Sequence, residues 1–284
     1  MNKILFLILI YISILFIIIY NNYSNNIKIN KVAICFIGLC RTTNHTISSI
    51  EKYIYNALDN MNIKYDIYLH TYEINKIYNN KWSGETNMKI NNDNWKLLNP
   101  NYYLIENEDT VSTELNLFKY RKHGDPWNTD FKSLDNVILS LWSTYQVTQL
   151  WKNSNINYDA IIYLRPDVLY LRPLKIDYFN MINHHNILLP DFEEYPINDR
   201  FAIGSPEVMI TYGERFINAY KYSLYDKLHA ETYLNYILQY YNIKIIKIHF
   251  RFCRISIDGS NRDTNYYNDY DYENYNFISK LLRY

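Results

Sequence analysis

Residues 158–174 read YDAIIYLRPDVLYLRPL, and this stretch constrains the fold more than any other. The apolar run at 160–164 shows no polar alternation. Such a run fits a strand covered on both faces, as in a parallel sheet wrapped by helices. Pro166 cannot donate a ladder hydrogen bond, so the strand must stop or bulge there. Arg165 and Asp167 then stand at the carboxyl edge of the sheet, where open α/β sheets bind ligands. An Arg–Asp ion pair that merely finishes a strand is the alternative reading. Residues 168–171 are expected to resume the strand, and Pro173 to end it.

The rest of the chain repeats the alternation of strand and helix. Residues 32–38 (VAICFIG) form an apolar run closed by Gly38. A helix is expected over 46–60, with Ile47, Ile50, Ile54 and Leu58 on one face. Residues 65–70 (YDIYLH) give a second strand, and this β-loop-α-β opening is that of an α/β sheet. Residues 74–100, polar and Asn-rich with Trp82 and Trp95, read as an irregular insertion. A short strand follows at 102–105, then a loop over 106–132 that contains HGDPW. The spacing of Leu134, Val137, Ile138, Leu141, Trp142 and Tyr145 predicts a helix over 134–151. Short strands are expected at 187–189 and 201–203. Ser205-Pro206-Glu207 is a helix start, a further helix covers 229–241, and 244–250 is a late strand. The sum is one α/β domain over 31–258 with a mixed, mostly parallel sheet, followed by a low-complexity Tyr/Asn-rich tail over 259–284.

Ahead of that domain, residues 4–20 (ILFLILIYISILFIIIY) carry no charge, Gly or Pro. A spanning helix needs about 17–25 apolar residues, so this run is at the short end of the range. No small-residue cleavage site follows it, so it reads as an uncleaved signal anchor rather than a cleaved leader. Residues 1–3 would be a short cytosolic tail and 21–30 a stem. The expected placement is single-pass type II, with a lumenal body, although Lys28 and Lys31 on the far side weaken the positive-inside signal.

Candidate chemistry gathers where the strands end. Gly38 closes the first strand, which lets a ligand approach the backbone. Arg41 and Thr42 follow in the loop before a helix N-terminus, a place that favours anions. The chain has no GxxxxGK[ST] and no GxGxxG, so neither a P-loop nor a dinucleotide-binding turn is supported. Asp199 and Arg200 precede the short strand that ends at Gly204. Glu231 stands in the first turn of the helix at 229–241, where the helix dipole alone would explain an acid. His249 ends the late strand, and a structural role is the alternative there. Cys35, Cys40 and Cys253 form no CxxC pair and no metal-ligand spacing. With 29 basic and 29 acidic residues the chain is neutral, which argues against a nucleic-acid binder.

Taken in order, GLCRT at 38–42, YDIYLHT at 65–71, YDAIIYLRPD at 158–167, NDRFAIG at 198–204 and HAETYL at 229–234 form a pattern. The chain resembles glycosyltransferases of the GT-A type, and specifically the GT-A-like proteins of plants, algae and large DNA viruses. The resemblance covers about residues 31–258. It implies a GT-A-like (Rossmann-like) domain that moves a sugar from a nucleotide-sugar donor to a hydroxyl of a glycan or protein acceptor, in a host endomembrane if the chain is viral. The alternative is a catalytically degenerate protein that binds nucleotide or glycan without turnover. Gly38, Arg41, Thr42, Arg165, Asp167 and Arg200 would bind the donor; Asp199 and Glu231 are the candidate catalytic carboxylates. In glycogenin-like transferases the comparable strand ends in a metal-binding D-x-D. Here Asp167 matches the last acid and Arg165 replaces the first, while His249 falls where a metal-binding His would stand. The resemblance therefore implies a divalent cation, Mn or Mg, at Asp167 and His249, with Arg165 as a departure able to contact phosphate directly. The insertion and the tail, rich in Tyr and Asn, are where the least function is expected.

Overall fold

Strand β1 (Lys31–Ile37) is buried at every residue after Lys31. Val32, Ile34 and Phe36 enter one apolar cluster, while Ala33, Cys35 and Ile37 enter another. Those are the two faces of one pleated strand, both covered, as an unalternating apolar run demands. The computed structural model describes residues 28–80 and 84–263, and Tyr11. The proposed anchor at 4–20, Trp82 and the tail beyond Asp263 lie outside the described residues, Tyr11 apart. Among the described residues no helix is long and apolar enough to cross a membrane.

The strands that follow in chain order are β2 (Lys64–Glu73), β3 (Tyr78–Asn80), β4 (Glu85–Met88), β5 (Tyr102–Asn107), β6 (Ala160–Leu164), β7 (Val168–Tyr170), β8 (Asn186–Pro190), β9 (Ala202–Gly204), β10 (Lys244–Ile248) and β11 (Phe252–Arg254). Seven of them make one sheet in the order β10-β8-β9-β6-β1-β2-β5. The pairs β1–β2, β1–β6, β2–β5 and β8–β10 are parallel; β9 runs antiparallel to both its neighbours. The α/β class with a mixed, mostly parallel sheet is therefore the expected one. From β1 the chain winds outward to β2 and β5, then crosses back to place β6 on the other side. The carboxyl ends of β1 and β6 thus flank a topological switch point, the place where such sheets open a crevice.

Four local expectations need correction. Residues 168–171 do not resume the sheet: β7 leaves it and pairs antiparallel with β11, Leu169 opposite Cys253. Pro166 and the turn around it redirect the chain, and Tyr170 N–H finds Ser49 Oγ at 3.0 Å instead of a ladder partner. The expected loop over 106–132 contains a helix, Glu108–Leu115, capped by Asn107 Oδ1 accepting from Thr110 N–H and burying Val111 and Leu115. The expected insertion contains the β3–β4 hairpin and a 3-10 turn, Asn92–Leu98. The predicted helix over 46–60 begins earlier, at Thr43, and passes through a π turn at Glu51–Tyr55.

The long helix Lys132–Lys152 is as the periodicity predicts, and it covers β1 and β2 with small polar residues as well as apolar ones: Ser143, Thr144 and Thr148 are buried on it. The neighbouring helix Pro206–Gly213 packs against it so closely that a Cβ at Gly213 would stand 2.0 Å from Thr148 Oγ1.

Candidate functional site

The crevice at the switch point is lined by Gly38, Arg41, Arg165, Asp167, Asp199, Arg200 and Glu231. All seven were expected from the sequence, and they arrive from four separate places. Gly38 and Arg41 follow β1; Arg165 and Asp167 follow β6; Asp199 and Arg200 precede β9; Glu231 opens the helix Ala230–Tyr240. Gly38 holds φ at +88°, a conformation other residues rarely adopt, so a glycine is needed to turn the chain out of β1 here.

One wall of the cleft is an arginine–carboxylate knot. Arg165 clasps Asp167 with two parallel bonds, Nε to Oδ1 at 2.8 Å and Nη2 to Oδ2 at 2.7 Å. Arg41 Nη2 adds a contact to Oδ2 at 3.3 Å, and its Nη1 donates to Glu85 at 3.0 Å and to Tyr78 OH at 2.5 Å. Burial works to raise the Asp167 carboxyl. The charge and hydrogen bonds of Arg165, then the charge of Arg41, overcome it and hold Asp167 well below the ordinary carboxylate range. The turn between these residues is fixed from behind: Thr46 Oγ1 donates to the Pro166 carbonyl at 2.6 Å, and Tyr170 OH to the Arg165 carbonyl at 2.9 Å.

A second wall, carrying Asp199, Arg200 and Glu231, holds a carboxyl of another kind. Glu231 is buried, with Arg200 Nη2 at 3.7 Å and His229 Nδ1 at 3.2 Å. Burial, and then the negative charge of Asp199, push its carboxyl up to about 7, with Arg200 pulling the other way. Two carboxyls in one cleft, one locked as an anion and the other poised near neutrality, are suited to different tasks: charge fixation and proton transfer.

Two expected site residues, Thr42 for the donor and His249 for a metal, stand elsewhere. Thr42 is fully buried; its carbonyl accepts from His45 and Thr46 N–H in the first turn of the helix Thr43–Ile50. His249 does not line the cleft; its Nδ1 lies 3.6 Å from Asp191. The expected cation pair of Asp167 and His249 is therefore not brought together. Both oxygens of Asp167 already accept from guanidinium groups, and among the described residues no three His, Cys, Asp or Glu side chains converge. As placed, Asp167 and His249 do not make a joint cation site.

Several lining residues escaped the sequence reading. Tyr78 comes from the insertion, Trp127 from the HGDPW segment, and Arg215, Arg254 and Arg262 from later segments. Trp127 stacks on His229 with ring centroids 4.7 Å apart, and Asp125 holds its loop by accepting from the Trp127, Thr129 and Phe131 N–H groups. Behind Gly38 lies a buried chain of hydrogen bonds. Gly38 N–H donates to Ser143 Oγ at 2.9 Å, Ser143 meets His70 Nδ1 at 2.9 Å, and His70 Nε2 meets Glu106 at 2.7 Å, where Trp142 also donates. Burial lowers the His70 pKa, so the ring is neutral at pH 7, with its proton assigned to Nε2. Ser143 and His70 are fully buried, so this Ser-His-Glu chain fixes the cleft rather than acting in it. His70, a rare residue type inside an apolar strand, was the available signal.

No protein-family model matches the sequence, and no curated protein matches it. Among solved structures, the apo form of the glycosyltransferase GlyE of Streptococcus pneumoniae TIGR4 is similar with a TM-score of 0.41 and 9% identity, over 78% of this chain and 46% of that one. Mouse xyloside xylosyltransferase 1, apo form, is similar with a TM-score of 0.37 and 10% identity, over 77% of this chain and 85% of that one. The chain spans less than half the length of the pneumococcal protein.

Proposed function

We propose that the chain is a GT-A-like glycosyltransferase, transferring a sugar from a nucleotide-sugar donor to a hydroxyl of a glycan or protein acceptor. The observation that supports it is the meeting, at one switch-point cleft, of an arginine wall and a carboxyl pushed up to about 7. The sequence motifs that carry the resemblance supply both walls. In this reading the donor diphosphate rests on Arg41, Arg165 and Arg200. The acceptor oxygen attacks the anomeric carbon, the bond from that carbon to the phosphate oxygen breaks, and its electron pair stays on the diphosphate. Guanidinium donors fixed before the reaction stabilise that growing charge. The acceptor proton passes to the ionised Glu231, whose pKa near the working pH suits a base; Asp199 keeps that pKa raised. A single displacement of this kind inverts the anomeric centre. Residues 4–20 would anchor the protein as a type II membrane protein with the cleft in a lumen.

The test is transfer by the purified full chain, offered UDP- and GDP-sugars with glycan and peptide acceptors, with and without Mn²⁺. Released nucleoside diphosphate and product are measured, and the product anomer is read by NMR. Turnover with an inverted product is expected. The absence of turnover with every donor, from a chain that still binds nucleotide, would leave the degenerate binding protein as the better reading.

A further inference from the structure

The hairpin from β11 to Asp263 carries a third wall into the cleft. Arg254, at the end of β11, is clasped by Asp263, which accepts from its N–H at 2.7 Å and its Nε at 2.8 Å. Arg262 N–H donates back to the Arg254 carbonyl at 3.0 Å, and Ile255 bridges Asn261. The turn is held against the body as well: Ile257 N–H donates to Glu85 Oε1 at 2.9 Å, and Gly259, at φ +84°, lies against the His45 ring. A segment fixed at this many points presents the Arg262 side chain to the cleft beside Arg41 and Arg254.

That position is electrostatically expensive. Burial and the charges of Arg41 and Arg254 all act against the charged form of Arg262. The acids whose charge favours it, Glu85 and Asp167, are already engaged by Arg41 and Arg165. Arg41 is itself buried, with an Nε that has no hydrogen-bond partner. Guanidinium groups crowded together with donors to spare are what a phosphate-bearing ligand neutralises. The same wall offers no oxygen set for a cation, because Asp167 is spent on arginines.

Resting on the transferase reading for its ligand, we propose that Arg262, with Arg41 and Arg254, forms a diphosphate-binding corner that works without a divalent cation. Arg262 is then a donor-binding residue, supplied by the segment just past the recognised motifs. The corner fits the two phosphate groups of a nucleoside diphosphate, or inorganic diphosphate alone.

The experiment is calorimetric titration of inorganic diphosphate, and separately of UDP and GDP, into the full chain in EDTA and again in MnCl₂. Inorganic diphosphate and at least one nucleotide should bind in EDTA, with an affinity that Mn²⁺ changes by less than about threefold. R262A should weaken binding by about tenfold or more, and R262K by less, since an ammonium keeps the charge and loses the fork. If R262A melts well below the parent chain, R262K decides. Binding that appears only with Mn²⁺, or that R262A and R262K leave unchanged, would overturn the corner. Failure of the two readings is separable. Cation-free, Arg262-dependent binding with no transfer to any acceptor sinks the transferase and leaves the corner. Transfer that requires Mn²⁺ and ignores R262A does the reverse.

Discussion

At the scale of single residues, the cleft sets two carboxyls against each other, and pH separates them. Asp167 is held below its ordinary pKa by Arg165 and Arg41. Its contribution to stability is present above the unfolded-state pKa of about 3.9 and is lost as pH falls through the lower folded value. Replacing it strands two arginines, one buried and one about one-third exposed. Asp167→Ala is expected to cost about 3 kcal/mol, the low end for breaking a buried pair, read as a lower midpoint in urea at pH 7. Glu231 has the opposite sign. Its folded pKa of about 7 exceeds the unfolded value, so the stability it contributes is full below about pH 4.5 and lost as pH rises through 7. Glu231→Gln should remove that fall, by on the order of 1–3 kcal/mol between pH 4.5 and 8. If Glu231 is the base, the same substitution lowers kcat by roughly 10²–10⁴-fold and flattens a rate that otherwise climbs through pH 7. A variant that is stabilised at pH 8 yet keeps its rate would strip Glu231 of the proton-transfer role.

At the scale of elements, the long helix Lys132–Lys152 positions the cleft through one hydroxyl. Ser143 holds the Gly38 N–H, and with it the turn that delivers Arg41, and it also satisfies His70. Ser143→Ala removes the partner of the half-buried Gly38 N–H and of the fully buried His70 Nδ1, so a loss of about 1–3 kcal/mol is expected in thermal or urea melts. Ser143→Cys, similar in shape with a weaker donor, should lose less. On the other face of that helix, Gly213→Ala would force a Cβ to 2.0 Å from Thr148 Oγ1 and 2.7 Å from Tyr163 OH, at an expected cost of about 1–3 kcal/mol or more. These helix contacts mark the limit of what the sequence reveals. Periodicity found the helix, and unalternating apolar runs found β1, β6 and β8, because burial on both faces writes itself into composition. It placed a strand at β7 but in the wrong sheet, and it did not find β11, since three-residue strands pairing outside the main sheet leave no periodic trace of their partner. Site residues tied to a strand end or helix start (Arg41, Arg165, Asp167, Asp199, Glu231) were legible. Tyr78 and Arg262, and Glu85 that pairs with Arg41, were not, because they stand on short hairpins with no apolar periodicity to place them.

At the scale of the molecule, the cleft belongs wholly to the described body, and the proposed anchor should be separable from it. Among the described residues, Ile29 packs partly buried against one apolar cluster and full burial starts at Val32. The junction is tied down at Asn30, whose N–H donates to Asp159 at 2.7 Å. A chain beginning at Lys28 therefore keeps every contact named here. Residues 4–20 supply an uncharged stretch of about the minimum length for a spanning helix, and no other segment of the described body could replace it. The full chain should stay with the membrane fraction through an alkaline carbonate wash and leave it only in detergent. The chain from Lys28 should be released in buffer, with a melting temperature within about 3 °C of the full chain in detergent, if residues 4–20 serve only as the anchor. Its affinity for inorganic diphosphate should be unchanged, because Arg41, Arg254 and Arg262 are all retained. A full chain that washes off would remove the anchor from the proposal. A shortened chain that is released but melts far lower would show that the first 27 residues pack onto the body instead of entering a bilayer.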